Sequence, residues 1–188
     1  MRIFLTGGCK TGKSTLAQRL AVQMRPVGKP LYYIATMAPM DGEDEARIAR
    51  HRAERAGLGF ETVEAPRGIL SILDRCGSGG AFLFDSVTAL LANEMFREGG
   101  AVVPEAYQGV IRDMDKLLAE IGNIAVVSDY IFSDARLFDG ATESYRFGLA
   151  EIHKRLAQTC DAVVEVCYGN CAVHKGSAAI KGMLHAVS

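Results

Sequence analysis

The sequence predicts an α/β protein in which a mostly parallel central sheet carries helices on both faces. Two observations and one general rule predict this fold class. Apolar runs of strand length alternate with longer segments of helical periodicity. A glycine-rich segment stands between the first apolar run and the first helical pattern. Strands that alternate with helices are joined by right-handed crossovers, and such crossovers produce parallel pairing.

The first part of the chain contains two predicted strands with one helix between them. Arg2–Thr6 is a strand because it carries an uninterrupted apolar run. From Ser14 the pattern changes to helical spacing, and proline and glycine residues around position 28 end that helix. Leu31–Ala35 is the second strand. The apolar face of the helix consists of Leu16, Ala17, Leu20, Ala21 and Met24.

The next segment combines a charged helix with shorter elements. Asp41–Arg55 is predicted to be a helix, because acidic residues in its first turn and arginines in its later turns suit the helix dipole. Phe60–Val63 is a short strand. Arg67–Arg75 is another helix, which the glycine-rich run 77–80 ends.

The second half of the chain repeats the alternation of strand and helix. Its clearest helix is Glu105–Ile121, whose apolar positions keep helical spacing over its whole length. The other elements are short apolar runs or amphipathic stretches between turn-forming residues. In order, the predicted strands are 81–84, 124–128 and 162–167, and the two further helices are 87–96 and 142–157.

Composition restricts the classes of protein to which the chain can belong. Its 188 residues predict one domain over 1–188, with the tail after about residue 170 as an extension. Lys and Arg number 21 and Asp and Glu 22, so no basic excess indicates a nucleic-acid partner. No apolar run approaches the roughly 18 residues of a membrane span. The five cysteines are odd in number and scattered, which is typical of reduced thiols and of a cytoplasmic protein.

The strongest motif is the segment Gly7-Gly8-Cys9-Lys10-Thr11-Gly12-Lys13-Ser14, which fits the P-loop pattern G-x-x-x-x-G-K-[ST]. Its glycines allow backbone N–H groups to surround phosphate oxygens, and the helix that follows adds partial positive charge. We expect Lys13 to contact the β- and γ-phosphates of ATP or GTP and the Ser14 hydroxyl to ligate Mg²⁺. Thr15, next in the chain, is included in the predicted nucleotide site.

A P-loop also needs an acidic residue at the end of a neighbouring strand to hold hydrated Mg²⁺. Asp85 follows the apolar run 81–84 and fits that role. The alternative is that Asp85 caps the helix after it, although Ser86 could also serve as the cap. The sequence therefore predicts Ser14 and Asp85 as metal ligands, with capping as a second role for Asp85.

The charged helix 41–55 carries three basic residues on one face. Arg47, His51 and Arg55 are four residues apart, and stacked cations repel one another unless an anion lies over them. Nearby arginines favour a neutral imidazole at His51, and a neutral imidazole beside a polyphosphate can act as a nucleophile. A solvated surface helix with i,i+4 ion pairs is an equally valid interpretation of this segment.

The motifs together resemble one family, the bifunctional adenosylcobinamide kinase/adenosylcobinamide-phosphate guanylyltransferases. The resemblance begins with the P-loop, continues to about Val166 and is most specific in the strand ending Ile34-Ala35-Thr36 and the following segment 45–52. Further similar segments are Phe60-Glu61-Thr62-Val63-Glu64 and Phe84-Asp85-Ser86-Val87-Thr88, with Asn93 after them.

This resemblance implies a function. Family members phosphorylate adenosylcobinamide and transfer GMP from GTP to the resulting phosphate through a histidine, whose counterpart here is His51. The resemblance also implies a corrinoid substrate and a homotrimer. Nucleotide contacts are implied for Ile34, Ala35, Thr36, Arg52, Arg55, Glu64 and Asp85, and the basic face adds Arg47.

The C-terminal half departs from the family pattern. Asp129-Tyr130-Ile131-Phe132 stands where the family usually has Asn-Glu-Val-Gly, and Glu151, His153 and Lys154 stand where it tends to have Arg, Asn and Gln. A P-loop kinase of another small molecule and a nucleotide-binding regulatory module without turnover therefore stay open as alternatives. His153 and His185 are expected at the surface.

Overall fold

The computed structural model describes residues 1–38, 42, 48–49, 52–53, 55–131 and 135–187. These residues form one seven-stranded sheet in the order β3-β2-β4-β5-β1-β6-β7. Six strands are parallel, and β7 runs antiparallel to β6. The strands are β1 Arg2–Gly7, β2 Leu31–Ala35, β3 Glu61–Glu64, β4 Ala81–Asp85, β5 Ile124–Asp129, β6 Ala162–Cys167 and β7 Asn170–Lys175.

Helices cover both faces of this sheet, so the predicted fold class is confirmed. The helices are α1 Lys13–Met24, α2 Ser71–Cys76, α3 Val87–Met95, α4 Ala106–Glu120, α5 Gly140–Thr159 and α6 Ser177–Val187, with a 3₁₀ turn at Glu98–Gly100. The bounds of α1 to α5 and of the first six strands lie within a few residues of the predicted ones. The exception is α2, whose helix begins four residues later than predicted.

Alternation along the strands divides the core into two layers. On β1, Phe4 points to one face, while Ile3 and Leu5 point to the other. The layer that contains Phe4 packs against α2, α3, α4 and α5. The opposite layer packs against α1 and α6. Buried on both faces, the central strands are continuously apolar, as parallel strands are expected to be.

The last strand and the last helix have no counterpart among the predicted elements. β7 adds to the sheet beside β6, and Ile180 of α6 is fully buried in the same layer as α1. Of the predicted helix 41–55, residues 42, 48, 49, 52 and 53 are described and are helical, Arg55 is described in a turn, and the rest lies outside the described residues. None of the described helices combines the length and the apolar character needed to cross a membrane.

Candidate active site

Three acidic strand ends and the P-loop lie at the same edge of the sheet. Because β1 to β6 are parallel, their carboxyl ends meet at one edge, where open α/β sheets bind ligands. Gly7 ends β1 and lies opposite Asp129, which ends the adjacent β5. Asp85 ends β4, and Glu64 ends β3. The topology thus brings the P-loop and the predicted acidic residue to the same edge.

The P-loop follows β1 in a conformation that depends on its glycines. A side chain at Gly7 would collide with the carbonyl oxygen of Val166 on β6. Gly12, just before α1, has a left-handed backbone with φ of 94°. Inside the loop, the Thr11 hydroxyl donates to the Gly8 carbonyl at 3.0 Å. The loop backbone is therefore held between β6 and the first turn of α1.

Lys13 is buried beneath this loop and does not extend into solvent. Its side chain is 5% exposed, and its ammonium group lies 2.6 Å from Asp129 Oδ1. The same group donates to the Gly8 carbonyl at 2.5 Å. A buried cation is stable when it is paired and hydrogen-bonded, and Asp129 supplies the opposite charge.

Asp85 belongs to a separate cluster on β2 and β4. One carboxylate oxygen accepts a hydrogen bond from the Tyr33 hydroxyl at 2.9 Å. The guanidinium carbon of Arg55 lies 3.8 Å from the centre of the Tyr33 ring, and Arg55 also donates to Thr62. Burial lowers the pKa of the Arg55 guanidinium from its ordinary value. Ser86 caps α3 through Ala89 N–H, so Asp85 does not serve as the cap.

The predicted Mg²⁺ ligands have suitable chemistry. Ser14 offers a hydroxyl on the first turn of α1, and Asp85 offers a partly exposed carboxylate at the end of β4. One strand, β5, lies between β4 and β1, which places the two backbones about 10 Å apart at ordinary strand spacing. Magnesium keeps several waters and takes oxygen ligands, so this donor set fits a hydrated ion bound together with nucleotide phosphates.

Thr36 is fully buried just beyond β2 and fastens that strand end to α3. Its hydroxyl donates to the Ser86 carbonyl and accepts from the Ser86 N–H, both at 2.7 Å. Its own carbonyl accepts from the Asn93 side chain at 2.7 Å, and that amide also donates to Pro66. Before it on β2, Ile34 is fully buried and Ala35 is partly exposed. Among the described residues, Thr36 therefore has a structural role at the edge of the site.

The remaining predicted nucleotide contacts lie on the surface or outside the described residues. Arg52 and Glu64 are exposed and form an ion pair of 2.9 Å with each other. Cys9, Lys10 and Thr15 are also exposed, and Gly8, Thr11 and Ser14 are partly exposed. Arg47 and His51 lie outside the described residues, so the predicted nucleophile stays a prediction.

The expectation that His153 lies at the surface was wrong. Its side chain on α5 is buried, with 8% exposure, and its ring meets Phe4 edge-on at 5.0 Å. Its Nε2 lies 2.7 Å from the Ser128 hydroxyl on β5. Burial lowers the pKa of His153 to about 4, although the nearby Asp129 carboxylate acts in the opposite direction. The imidazole is therefore neutral at physiological pH, and His185 is exposed as expected.

Three residues of this site were not predicted from the sequence as site residues. They are Asp129, which pairs with Lys13, Tyr33, which donates to Asp85, and Ser128, which contacts His153. Asp129 carried a usable signal, because it ends an apolar strand as Asp85 does. That Asp129 lies beside Lys13 depends on the strand order, because β5 pairs directly with β1.

The comparisons with known proteins agree with the resemblance noted from the motifs. A family model described as cobinamide kinase / cobinamide phosphate guanyltransferase matches residues 3–173. The chain is 30% identical over 165 residues to the bifunctional adenosylcobalamin biosynthesis protein CobP of Pseudomonas aeruginosa, covering 87% of this chain and 91% of that protein. It is 32% identical over 108 residues to the corresponding protein CobU of Salmonella typhimurium, covering 57% of each. In overall shape it is similar to the flagellar accessory protein FlaH from Methanocaldococcus jannaschii, with 16% identity, a TM-score of 0.46 and coverage of 93% of this chain and 77% of that one.

Proposed function

Because the chain belongs to the cobinamide kinase/cobinamide phosphate guanyltransferase family of enzymes, we propose that it carries out both reactions of that family. In the first, it phosphorylates the hydroxyl of adenosylcobinamide with ATP or GTP. In the second, it transfers GMP from GTP to adenosylcobinamide phosphate. The products are those of nucleotide-loop assembly in cobalamin biosynthesis. The proposal includes cytoplasmic location and a homotrimer, which follow from the resemblance.

The observation that carries this proposal is the combination of the P-loop with an acidic strand end. Lys13 follows the glycine-rich turn and lies under the loop carbonyl of Gly8. Asp85 lies at the same edge of the sheet, and its position is fixed by Tyr33. A loop of backbone N–H groups, a lysine and a carboxylate are the parts that bind a nucleoside triphosphate with its metal.

The kinase step depends mainly on position and charge. We assign Lys13 and the loop N–H groups to the β- and γ-phosphates, where they stabilise charge on the transferred phosphoryl group. Ser14 and Asp85 would hold Mg²⁺, which when bound supplies further positive charge beside the phosphates. The acceptor hydroxyl oxygen attacks the γ-phosphorus and its proton passes to solvent; the bond from the γ-phosphorus to the bridging β-phosphate oxygen breaks, and the nucleoside diphosphate leaves.

The guanylyl transfer uses His51 as nucleophile in this proposal. A ring nitrogen attacks the α-phosphorus of GTP, the bond to the β-phosphate oxygen breaks, and pyrophosphate leaves. A phosphate oxygen of adenosylcobinamide phosphate then attacks the guanylyl-histidine, which frees the imidazole. Support comes from the resemblance and from the spacing of Arg47, His51 and Arg55 in the sequence.

The test is to trap the covalent intermediate. The full chain is incubated with Mg²⁺ and GTP labelled at the α- or the γ-phosphate, then denatured and assayed for bound label. We expect label from α-labelled GTP only, labile in acid as a phosphoramidate is, and lost in His51→Ala. His185→Ala is a matched control, because His185 is exposed on α6. Adduct formation that persists in His51→Ala would contradict the assignment.

A kinase acting on a different small molecule is the second candidate. It is favoured by one observation: Asp129, within the segment that departs from the family, contacts the P-loop lysine directly. Such a kinase would consume the γ-phosphate and form no GMP adduct. Replacing adenosylcobinamide by other hydroxyl compounds in the γ-label assay separates the two functions, because only the first requires the corrinoid.

A further inference from the structure

We propose that Asp129 is a positioning residue that competes with nucleotide phosphate for Lys13, and that Thr88, Ser128 and His153 hold it in place. Nucleotide binding is then an exchange of one anion for another at the P-loop lysine. This inference rests on the nucleotide-binding part of the proposed function and requires neither the corrinoid nor the guanylyl-histidine.

The first support is the set of partners around the lysine ammonium group. Among the described residues, three acceptors surround it: the Gly8 carbonyl at 2.5 Å, Asp129 Oδ1 at 2.6 Å and the Thr11 hydroxyl at 3.5 Å. An ammonium group has three donors, so a phosphate oxygen has to replace one of these acceptors. Only the Asp129 side chain is both charged and partly exposed, at 24%, so it is the partner that phosphate displaces most readily.

The second support is a chain of hydrogen bonds that holds the backbone of Asp129 on the side away from Lys13's ammonium group. Its backbone N–H donates to the Thr88 hydroxyl at 2.8 Å. The Thr88 hydroxyl lies 3.1 Å from that of Ser128, which in turn lies 2.7 Å from His153 Nε2. These bonds are consistent with one donor direction, in which Asp129 N–H donates to Thr88, Thr88 to Ser128 and Ser128 to His153. Nε2 accepts the last hydrogen bond in the neutral tautomer that carries its hydrogen on Nδ1.

The inner end of this hydrogen-bond chain, at Ser128 and His153, is buried, and Thr88 and Asp129 are partly buried. Ser128 is fully buried, and the His153 ring packs against Phe4 in the core layer of α5. The Thr88 carbonyl also accepts from the Tyr145 hydroxyl at 2.8 Å, which ties α3 to α5. Buried polar chains of this kind fix geometry when each member is satisfied.

The experiment measures binding of GTP in EDTA, without acceptor, by calorimetry on the full chain. Asp129→Asn keeps the shape and removes the charge that competes with phosphate. We expect this variant to bind GTP about tenfold more tightly than the wild type and to melt at a lower temperature when nucleotide-free, because Lys13 loses its counter-ion. Asp115→Asn removes the same charge from the surface pair with Arg155 and is expected to leave the affinity unchanged.

A second variant keeps the test decisive if Asp129→Asn does not fold. Thr88→Val has nearly the same shape but cannot accept the Asp129 N–H bond. Because it loosens the carboxylate without removing it, we expect binding about twofold to threefold tighter. Unchanged or weaker GTP binding in Thr88→Val would contradict the positioning role of the hydrogen-bond chain.

A double-mutant cycle separates positioning from simple stability. We expect His153→Leu to tighten GTP binding about twofold, and to have no such effect in the Asp129→Asn background. His153→Gln, whose amide oxygen can accept from Ser128, should restore wild-type affinity. A residue with a merely structural role would lower the melting temperature in both backgrounds and leave the affinity cycle additive.

The outcomes distinguish this inference from the proposed function. If the wild type binds GTP and Asp129→Asn binds it equally well or more weakly, the proposed exchange of Asp129 for phosphate is overturned. The proposed transferase function is not affected by that result. Tighter binding in Asp129→Asn with no corrinoid turnover supports the exchange and contradicts the transferase. Absence of GTP binding in both proteins overturns both.

Discussion

Two ion pairs at the carboxyl edge of the sheet have similar lengths and opposite surroundings. Lys13 and Asp129 are 5% and 24% exposed at 2.6 Å, whereas Arg52 and Glu64 are 56% and 70% exposed at 2.9 Å. Water and salt screen the exposed pair, while the buried pair cannot lose a partner without leaving a charge uncompensated. We therefore expect burial, rather than distance, to decide which charges at this edge control the site.

Strand order explains why the two regions differ. The buried pair lies between β1 and β5, in the middle of the sheet, where helices cover both faces. The exposed pair lies beside β3, the edge strand of the described sheet, which pairs with β2. Asp85 on β4 lies between these regions and is partly exposed. Substitutions at the carboxyl edge of the sheet should therefore affect activity and stability most near β1 and least near β3.

The largest effect is expected at Lys13. Lys13→Met keeps the length of the side chain and removes its charge, so the transferred phosphoryl group loses a stabilising contact. We expect nucleotide turnover to fall by about 10² to 10³. Lys116→Met, on the exposed face of α4, is the control. Turnover within tenfold of wild type would show that the buried pair does not govern catalysis.

The buried region should also respond to acid through His153. Its folded-state pKa of about 4 lies below the ordinary value of 6.5. Above pH 6.5 both states are neutral and the residue adds no pH dependence. Between pH 6.5 and 4 the unfolded state binds the extra proton, so stability falls by about 3 kcal/mol, and below pH 4 the loss is complete.

Urea unfolding between pH 7 and pH 4 measures this loss. We expect His153→Gln to flatten the curve in that window, because glutamine does not titrate there. His185→Gln, exposed on α6, should leave the curve unchanged. A His153→Gln curve as steep as that of the wild type would mean that other groups cause the acid sensitivity.

An intermediate effect is expected at Tyr33, which positions Asp85. Tyr33→Phe removes the hydroxyl that donates to the carboxylate at 2.9 Å and leaves the ring beneath Arg55. Loss of one such hydrogen bond is expected to weaken the binding free energy of Mg²⁺ by about 1 kcal/mol. We therefore expect the Mg²⁺ concentration for half-maximal turnover to rise about fivefold.

Tyr32→Phe is the matched control for this measurement. Tyr32 is the neighbouring residue on β2 and faces the other layer, where it stacks on Phe82. Equal magnesium dependence in both variants would remove Asp85 from the metal site.

The sequence predicted the sheet and the P-loop because both depend on local signals. The strand bounds followed from apolar runs, and the loop followed from glycines placed between a strand and a helix. β7 was missed because its exposed side chains show no apolar alternation. The final helix was missed because its main anchor is one buried residue, Ile180.

Long-range pairing limited what the sequence could predict about the site. Asp85 follows from its position after an apolar run, but the Lys13–Asp129 pair joins residues far apart in sequence and exists because β5 pairs with β1. His153 was assigned to the surface because a single histidine on a helix gives no sign of its burial. Its partner Ser128 belongs to β5, so only the packed structure connects them.

The smallest effect is expected for the exposed pair beside β3. A double-mutant cycle with Arg52→Gln and Glu64→Gln, followed by urea unfolding, should give a coupling energy of about 0.5 kcal/mol at low salt. Because both side chains are mostly in water, we expect the coupling to vanish near 1 M salt, where the screening length is about 3 Å. GTP binding by the same variants tests their predicted nucleotide contact. A coupling that exceeds 2 kcal/mol, or one that persists in salt, would contradict the ranking by burial, because an exposed pair would then control the edge as strongly as the buried one.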